Sequence, residues 1–234
     1  MNSHNQALEN LPIKQLFWQY ALPAIAAATA TPIYNIIDRI FIGQGVGPLA
    51  ISGLALCFPI MNLGTALGTL VGAGSAAIIS IRMGEKKQQE AIQTLGNALI
   101  LNLLIGLTFS ILSLIFLNPI LRLFGASDAT LPFAHDFMSI LLIGNVVTHL
   151  FFGLNSIIRA SGYPTKAMLS LFITIGVNLM LAPLFIFGFH WGIKGAATAT
   201  VIAQCAGLVW VVLHFCSHKP YVHFCKSGFR LSGR

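Results

Sequence analysis

Six long apolar stretches, parted by short polar or glycine- and proline-rich breaks, fill most of the chain. They run from about Leu16 to Phe41, Leu49 to Ile81, Ile92 to Leu117, Leu131 to Ile158, Pro164 to Phe189 and Gly195 to Phe215. Each reaches the roughly 20 residues a helix needs to cross a hydrocarbon core. None alternates polar and apolar residues strictly, as a barrel strand would, so the pattern predicts helices. The breaks have loop chemistry: Gly43 to Pro48, the charged run Arg82 to Glu90, Phe124 to Asp128, Ser161 to Pro164 and Gly188 to Gly192. The expected fold is all-α: a single six-helix transmembrane bundle. Residues 216–234 form a basic tail, expected to be cytoplasmic and to lead on as a linker.

Composition sharpens this. The chain of 234 residues is 56% hydrophobic and 8% charged, whereas a soluble domain carries roughly 25% charged residues. So few charges cannot cover a surface in water, and lipid is the implied solvent. The net charge of +7 then reports on membrane orientation rather than on nucleic acid. With the N-terminus in the cytoplasm, the cytoplasmic segments hold Lys14, Arg82, Lys86, Lys87, Arg159, Lys166, Lys219, Lys226, Arg230 and Arg234. The far side holds Arg39, Arg122 and Lys194, which leaves 10 of the 13 basic residues inside. Both termini are therefore expected in the cytoplasm. Met1 to Asn10 lacks a charged-then-apolar leader pattern, so no cleaved signal is expected.

Polar residues inside apolar helices are costly, and they mark either packing or function. Helix one carries Thr31, Asn35 and Asp38 at i, i+4 and i+7, on one face. Asp38 reads either as an interfacial carboxylate or as a protonatable group in a polar cavity. Helix four carries Asn145 and His149 and then Asn155, helix five Asn178, and helix six Thr200 and Gln204. These either bond between helices or converge with helix one on a cavity. His149 is a packing residue or a proton carrier. No second ligand stands at metal spacing, so no metal is expected. Helix two carries Gly64, Gly68 and Gly72, a spacing that lets helix backbones approach closely. Pro23, Pro32, Pro59 and Pro183 interrupt their helices. The cysteines Cys57, Cys205, Cys216 and Cys225 form no CxxC pair. No GxSxG, HExxH or Walker loop occurs, which argues against an enzyme and against nucleotide-driven pumping.

Six blocks in order carry a resemblance. They are Tyr34-Asn35-Ile36-Ile37-Asp38-Arg39-Ile40-Phe41-Ile42-Gly43; Gly74-Ser75-Ala76-Ala77 leading to Arg82-Met83-Gly84-Glu85-Lys86; Thr94-Leu95-Gly96-Asn97-Ala98; Arg159-Ala160-Ser161-Gly162-Tyr163-Pro164; Asn178 to Ile186; and Gly192 to Thr200. Across about Leu16 to Phe215 the chain resembles the N-terminal half of multidrug and toxic compound extrusion (MATE) transporters, on the bacterial multidrug-export side of the family. The resemblance implies a twelve-helix fold of two six-helix lobes, of which this is one. It implies a secondary transporter of a bacterial cytoplasmic membrane, with no cofactor, exchanging H+ or Na+ for organic, often cationic, small molecules. Asp38, Asn35, Asn178 and Thr200 then match the family's coupling site, and Thr31, Gln204, Asn145 and His149 are cavity candidates. Many relatives carry an Asp one turn after the helix-five Asn, where this chain has Ala182. One carboxylate favours a proton over a sodium ion. The expected partners are membrane lipids and a C-terminal lobe or a second copy. Two alternatives stay open: a flippase for lipid-linked precursors, and an inactive fragment.

Overall fold

The computed structural model describes residues 12–217 and 222–223. Calls that fall on Met1 to Asn10, on Lys219, Lys226, Arg230 and Arg234, on Cys225 and on most of the 216–234 tail lie outside the described residues. The helices are α1 (Ile13–Gly45), α2 (Pro48–Gly84), α3 (Gln88–Ile115), α4 (Leu117–Leu123), α5 (Leu131–Ile143), α6 (Asn145–Ala160), α7 (Pro164–Pro183) and α8 (Gly192–Cys216), with a π-turn at Leu184–Gly188 between the last two. Among the described residues five helices are long and apolar enough to cross a membrane, and the bent pair α5–α6, taken as one span, brings the number to six.

Two apolar clusters mark the two ends of this bundle. One joins Ile42 near the end of α1, Ala50 and Leu54 at the start of α2, Leu117 and Leu121 of α4, the α5 residues Ala134 and Leu142, Ala182 of α7 and Ala196 of α8. The other joins Ala76 and Ile79, Ala91 and Leu95, Ile157 and Ile158, Ala167, and Phe215 with Val222. Starts and ends of successive helices alternate between them, so the bundle runs up and down. Arg82, Lys86, Lys87, Arg159 and Lys166 thus stand at one end, and Arg39, Arg122 and Lys194 at the other.

Three boundaries differ from the sequence reading, each for a local reason. The first helix does not stop before the Gly43 break but continues to Gly45; the chain turns at Gly47, whose φ of +116° suits glycine. The third span, read as reaching Leu117, ends at Ile115, and a separate short helix follows. Its Arg122 pairs with Asp128 at 2.8 Å. The fourth span is not one rod from Leu131 to Ile158. It bends by 57° at Gly144, where an added Cβ would stand 2.6 Å from the Val201 methyls of α8. Pro23, Pro32 and Pro59 lie inside continuous helices, whereas α7 ends at Pro183 and passes into the π-turn.

The glycines of α2 form an internal seam. A Cβ on Gly64 would meet Asn145, one on Gly68 the backbone of His149, and one on Gly72 the backbone of Gly153 at 2.7 Å. All three neighbours belong to α6, and α2–α6 is the most extensive helix pair. In turn a Cβ on Gly153 would overlap the Asn102 side chain of α3. Small residues bring the α2 and α6 backbones together, with the Asn102 side chain of α3 behind them; such close approach is in lipid a main source of helix association.

Candidate functional site

α1 is an edge helix. It rests chiefly on α7, more lightly on α2, α8 and the π-turn, and Ile25, Ile33, Ile36 and Ile40 are exposed along it. Its buried positions are Ala27, Asp38 and Ile42. Tyr34, half-buried, stands one turn before Asp38, so Tyr34, Asp38 and Ile42 form the i, i+4, i+8 seam against the bundle. The sequence reading placed Thr31 and Asn35 on the same face as Asp38. The helix is rotated slightly from that expectation: both are exposed, and the Thr31 hydroxyl donates to its own helix at the Ala27 carbonyl, 2.9 Å away.

Across the seam, Asn178 of α7 donates from Nδ2 to the Thr200 hydroxyl of α8 at 3.1 Å, and Thr200 donates to the Ala196 carbonyl at 3.0 Å. The half-buried Tyr34 phenol lies beside Thr200 and in the field of Asp38. Tyr34 therefore links the α1 carboxylate to the α7–α8 pair. The sequence reading quoted Tyr34 within a motif without giving it a role; the signal available was its i, i+4 spacing to Asp38. Two acceptors here are buried with no hydrogen-bond partner: Asp38 Oδ1 and Asn178 Oδ1. Leaving such atoms unsatisfied is costly, so the cluster is short of donors. A proton on the carboxyl, or a cation among the oxygens, would supply what is missing. Ala182, one turn beyond Asn178, is fully buried in the apolar cluster that includes Ile42, Phe185 and Ile193, so no second carboxylate stands at that position.

The other candidates lie elsewhere. Asn145 donates to Ser110 Oγ of α3 at 3.2 Å, and His149 Nδ1 meets the Asn145 carbonyl at 3.0 Å. A carbonyl only accepts, so Nδ1 carries the hydrogen and Nε2 is a buried acceptor without a partner. Both residues sit among α2, α3 and α6, with Phe109 beside the imidazole, and their hydrogen-bond partners do not include the Asp38 cluster. Gln204 accepts from Thr148 of α6 at 2.5 Å. Asn155 donates to Ser170 Oγ at 2.6 Å and to the Ala167 carbonyl at 2.9 Å. So α6 stitches itself to α3, α7 and α8 through side chains. Truncating Asn155 to Ala breaks both α7 bonds, although the Ala167 carbonyl keeps its bond from the Ser170 hydroxyl at 2.8 Å. We expect a loss of about 1–2 kcal/mol, read as a lower thermal midpoint in detergent; an unchanged midpoint would refute the stitching role.

Cys57 is buried, Cys205 half-buried and Cys216 exposed, all as free thiols. Among the described residues no group of three or more His, Cys, Asp or Glu could hold a metal ion.

Comparison with known proteins agrees with this layout. The family model MatE matches residues 23–184. The multidrug export protein MepA of Staphylococcus haemolyticus is 28% identical over 216 residues, covering 92% of this chain and 48% of that protein. MepA of Staphylococcus aureus is 27% identical over 214 residues, with the same coverage of 92% and 48%. A solved outward-facing conformation of a multidrug resistance MATE family transporter of the MOP superfamily aligns with a TM-score of 0.90 at 26% identity, covering 100% of this chain and 52% of that one. The chain spans about half the length of the curated relatives it matches.

Proposed function

From the premise that the chain belongs to the MatE family, matched over residues 23–184, we propose that it is the N-terminal lobe of a proton-coupled antiporter. Its cargo is organic, often cationic, compounds exported across a bacterial cytoplasmic membrane. The observation that carries this is the donor-poor cluster around Asp38, in which Asp38 Oδ1 and Asn178 Oδ1 are both buried without partners. Protonation turns the carboxyl into a donor and removes its charge; deprotonation restores both the charge and the deficit. The cluster thus has two states of different charge and bonding, which is what a coupling site requires. Sodium fits less well, because it takes several oxygen ligands and the Ala182 position supplies none.

The basic residues at the α2–α3 and α6–α7 turns support an orientation with that end, and both termini, in the cytoplasm. Six helices provide one wall of a two-lobed pathway, so transport needs a C-terminal lobe or a second copy. The flippase reading gains no support, since an anionic cargo calls for several cavity cations and Arg39 is the main intramembrane candidate.

The test is ethidium efflux from cells that co-express the chain with the C-terminal six helices of a relative. We expect efflux that stops when a protonophore collapses the proton gradient and persists without sodium. Efflux that needs sodium and ignores the proton gradient would overturn the proton assignment.

A further inference from the structure

Arg39 follows Asp38 in sequence but leaves the buried seam and points at α2. Its guanidinium carbon stands 4.5 Å from the centroid of the Phe58 ring. Here α1 and α2 touch only lightly, and a cleft of about 440 Å³ opens between them, lined by Ile36, Arg39, Ile40, Gly43, Gln44 and Ile51. Ile36, Ile40 and Ile51 are exposed. Among the described residues, the ion pairs are made by Arg82, Lys87, Arg122 and Lys194; Arg39 takes part in none of them.

The position narrows what could answer that charge. Arg39 is six residues before the α1 end at Gly45, about 9 Å along the axis at 1.5 Å per residue. That depth falls near the border between hydrocarbon and headgroups. Stacking on Phe58 occupies one face of the guanidinium and leaves its in-plane N–H donors free, a fork that suits the oxygens of a phosphate. Gln44, exposed at the mouth of the cleft, adds an amide donor. The remaining walls are isoleucine, which suits a hydrocarbon chain. The cleft, open to the surface, therefore pairs one cation with apolar walls at the level where phospholipids place a phosphate above an acyl chain.

We propose that the α1–α2 cleft binds an anionic phospholipid of the adjacent leaflet, its phosphate on Arg39 and an acyl chain along Ile36, Ile40 and Ile51. The assignment stands independently of the transport reading.

The test uses the chain purified in detergent and titrated with phosphatidylglycerol or phosphatidylcholine of matched acyl chains, bound lipid being counted by native mass spectrometry. We expect retention of phosphatidylglycerol over phosphatidylcholine, and about a tenfold loss of that preference in Arg39→Gln, the size of one lost charge-assisted contact. Ile51→Trp fills the cleft while leaving the charge, and should also lose bound lipid. Circular dichroism checks that both variants stay helical. Equal retention of the two lipids, or an Arg39→Gln variant that keeps the preference, would overturn the proposal. So would inorganic phosphate that displaces phosphatidylglycerol at equal concentration, since that would indicate a site for free anions.

Discussion

Asp38→Asn should reduce dye efflux to the level of cells lacking the transporter while the protein stays in the membrane at its normal amount. The two side chains are nearly the same size, so the seam between α1 and α7 keeps its packing. The amide cannot exchange a proton near neutral pH, so the cluster is fixed in an uncharged state. A second effect separates this account from simple damage. The cluster contains two buried oxygens without donors, and the new amide brings an N–H2 group into it. It also removes a carboxylate whose charged form is penalised by burial. The variant should therefore be as stable as the parent, or more so, with a thermal midpoint in detergent that does not fall. Normal efflux by Asp38→Asn would remove Asp38 from the coupling role. Lost efflux with a collapsed midpoint would show that Asp38 holds the fold together instead.

Gly72→Ala should give a large stability loss, because the added methyl meets backbone, and Gly74→Ala, two residues along the same helix, should give none. A Cβ on Gly72 would lie 2.7 Å from both the Cα and the carbonyl oxygen of Gly153. Those atoms are backbone, and α6 cannot retreat because Gly153 is itself pressed against Asn102 of α3. The helices must separate, and overpacking of this kind costs about 1–3 kcal/mol, with the upper end expected where backbone meets backbone. At Gly74 nothing lies within 4 Å of the added atom. There alanine should be neutral or gain a fraction of the roughly 1 kcal/mol by which it exceeds glycine in a helix. Thermal unfolding of the two variants side by side decides the matter. Equal midpoints would mean that the α2–α6 contact yields easily.

The candidate residues were legible in the sequence where the signal was the residue itself. A carboxylate, an amide and a hydroxyl inside apolar runs stand out, and Asp38, Asn178 and Thr200 do fall on three helices that meet. It fell short where the question was rotation or neighbours. Thr31, Asn35 and Asp38 fit one helical face as well as Tyr34, Asp38 and Ile42 do. Only contact with α7 decides between the two, and it buries the second set. Asn145 and His149 read as cavity residues because a polar side chain in lipid must face something. The structure supplies Ser110, the Asn145 carbonyl and the glycines of α2 as that something.

The sequence by itself determined the membrane class, the long apolar helices, the grouping of basic residues at one end and the glycine seam on α2. These follow from local rules: the length of an apolar run, the cost of a charge in lipid and the spacing of small residues. The tertiary structure decided that the fourth span bends at Gly144, that Tyr34 rather than Asn35 shares the buried seam with Asp38, and that Arg39 leaves its neighbour for Phe58. Each of these depends on what a partner helix presents across the gap. A run of apolar residues fixes that a helix crosses the membrane, but the side chains of its neighbours fix which way it faces.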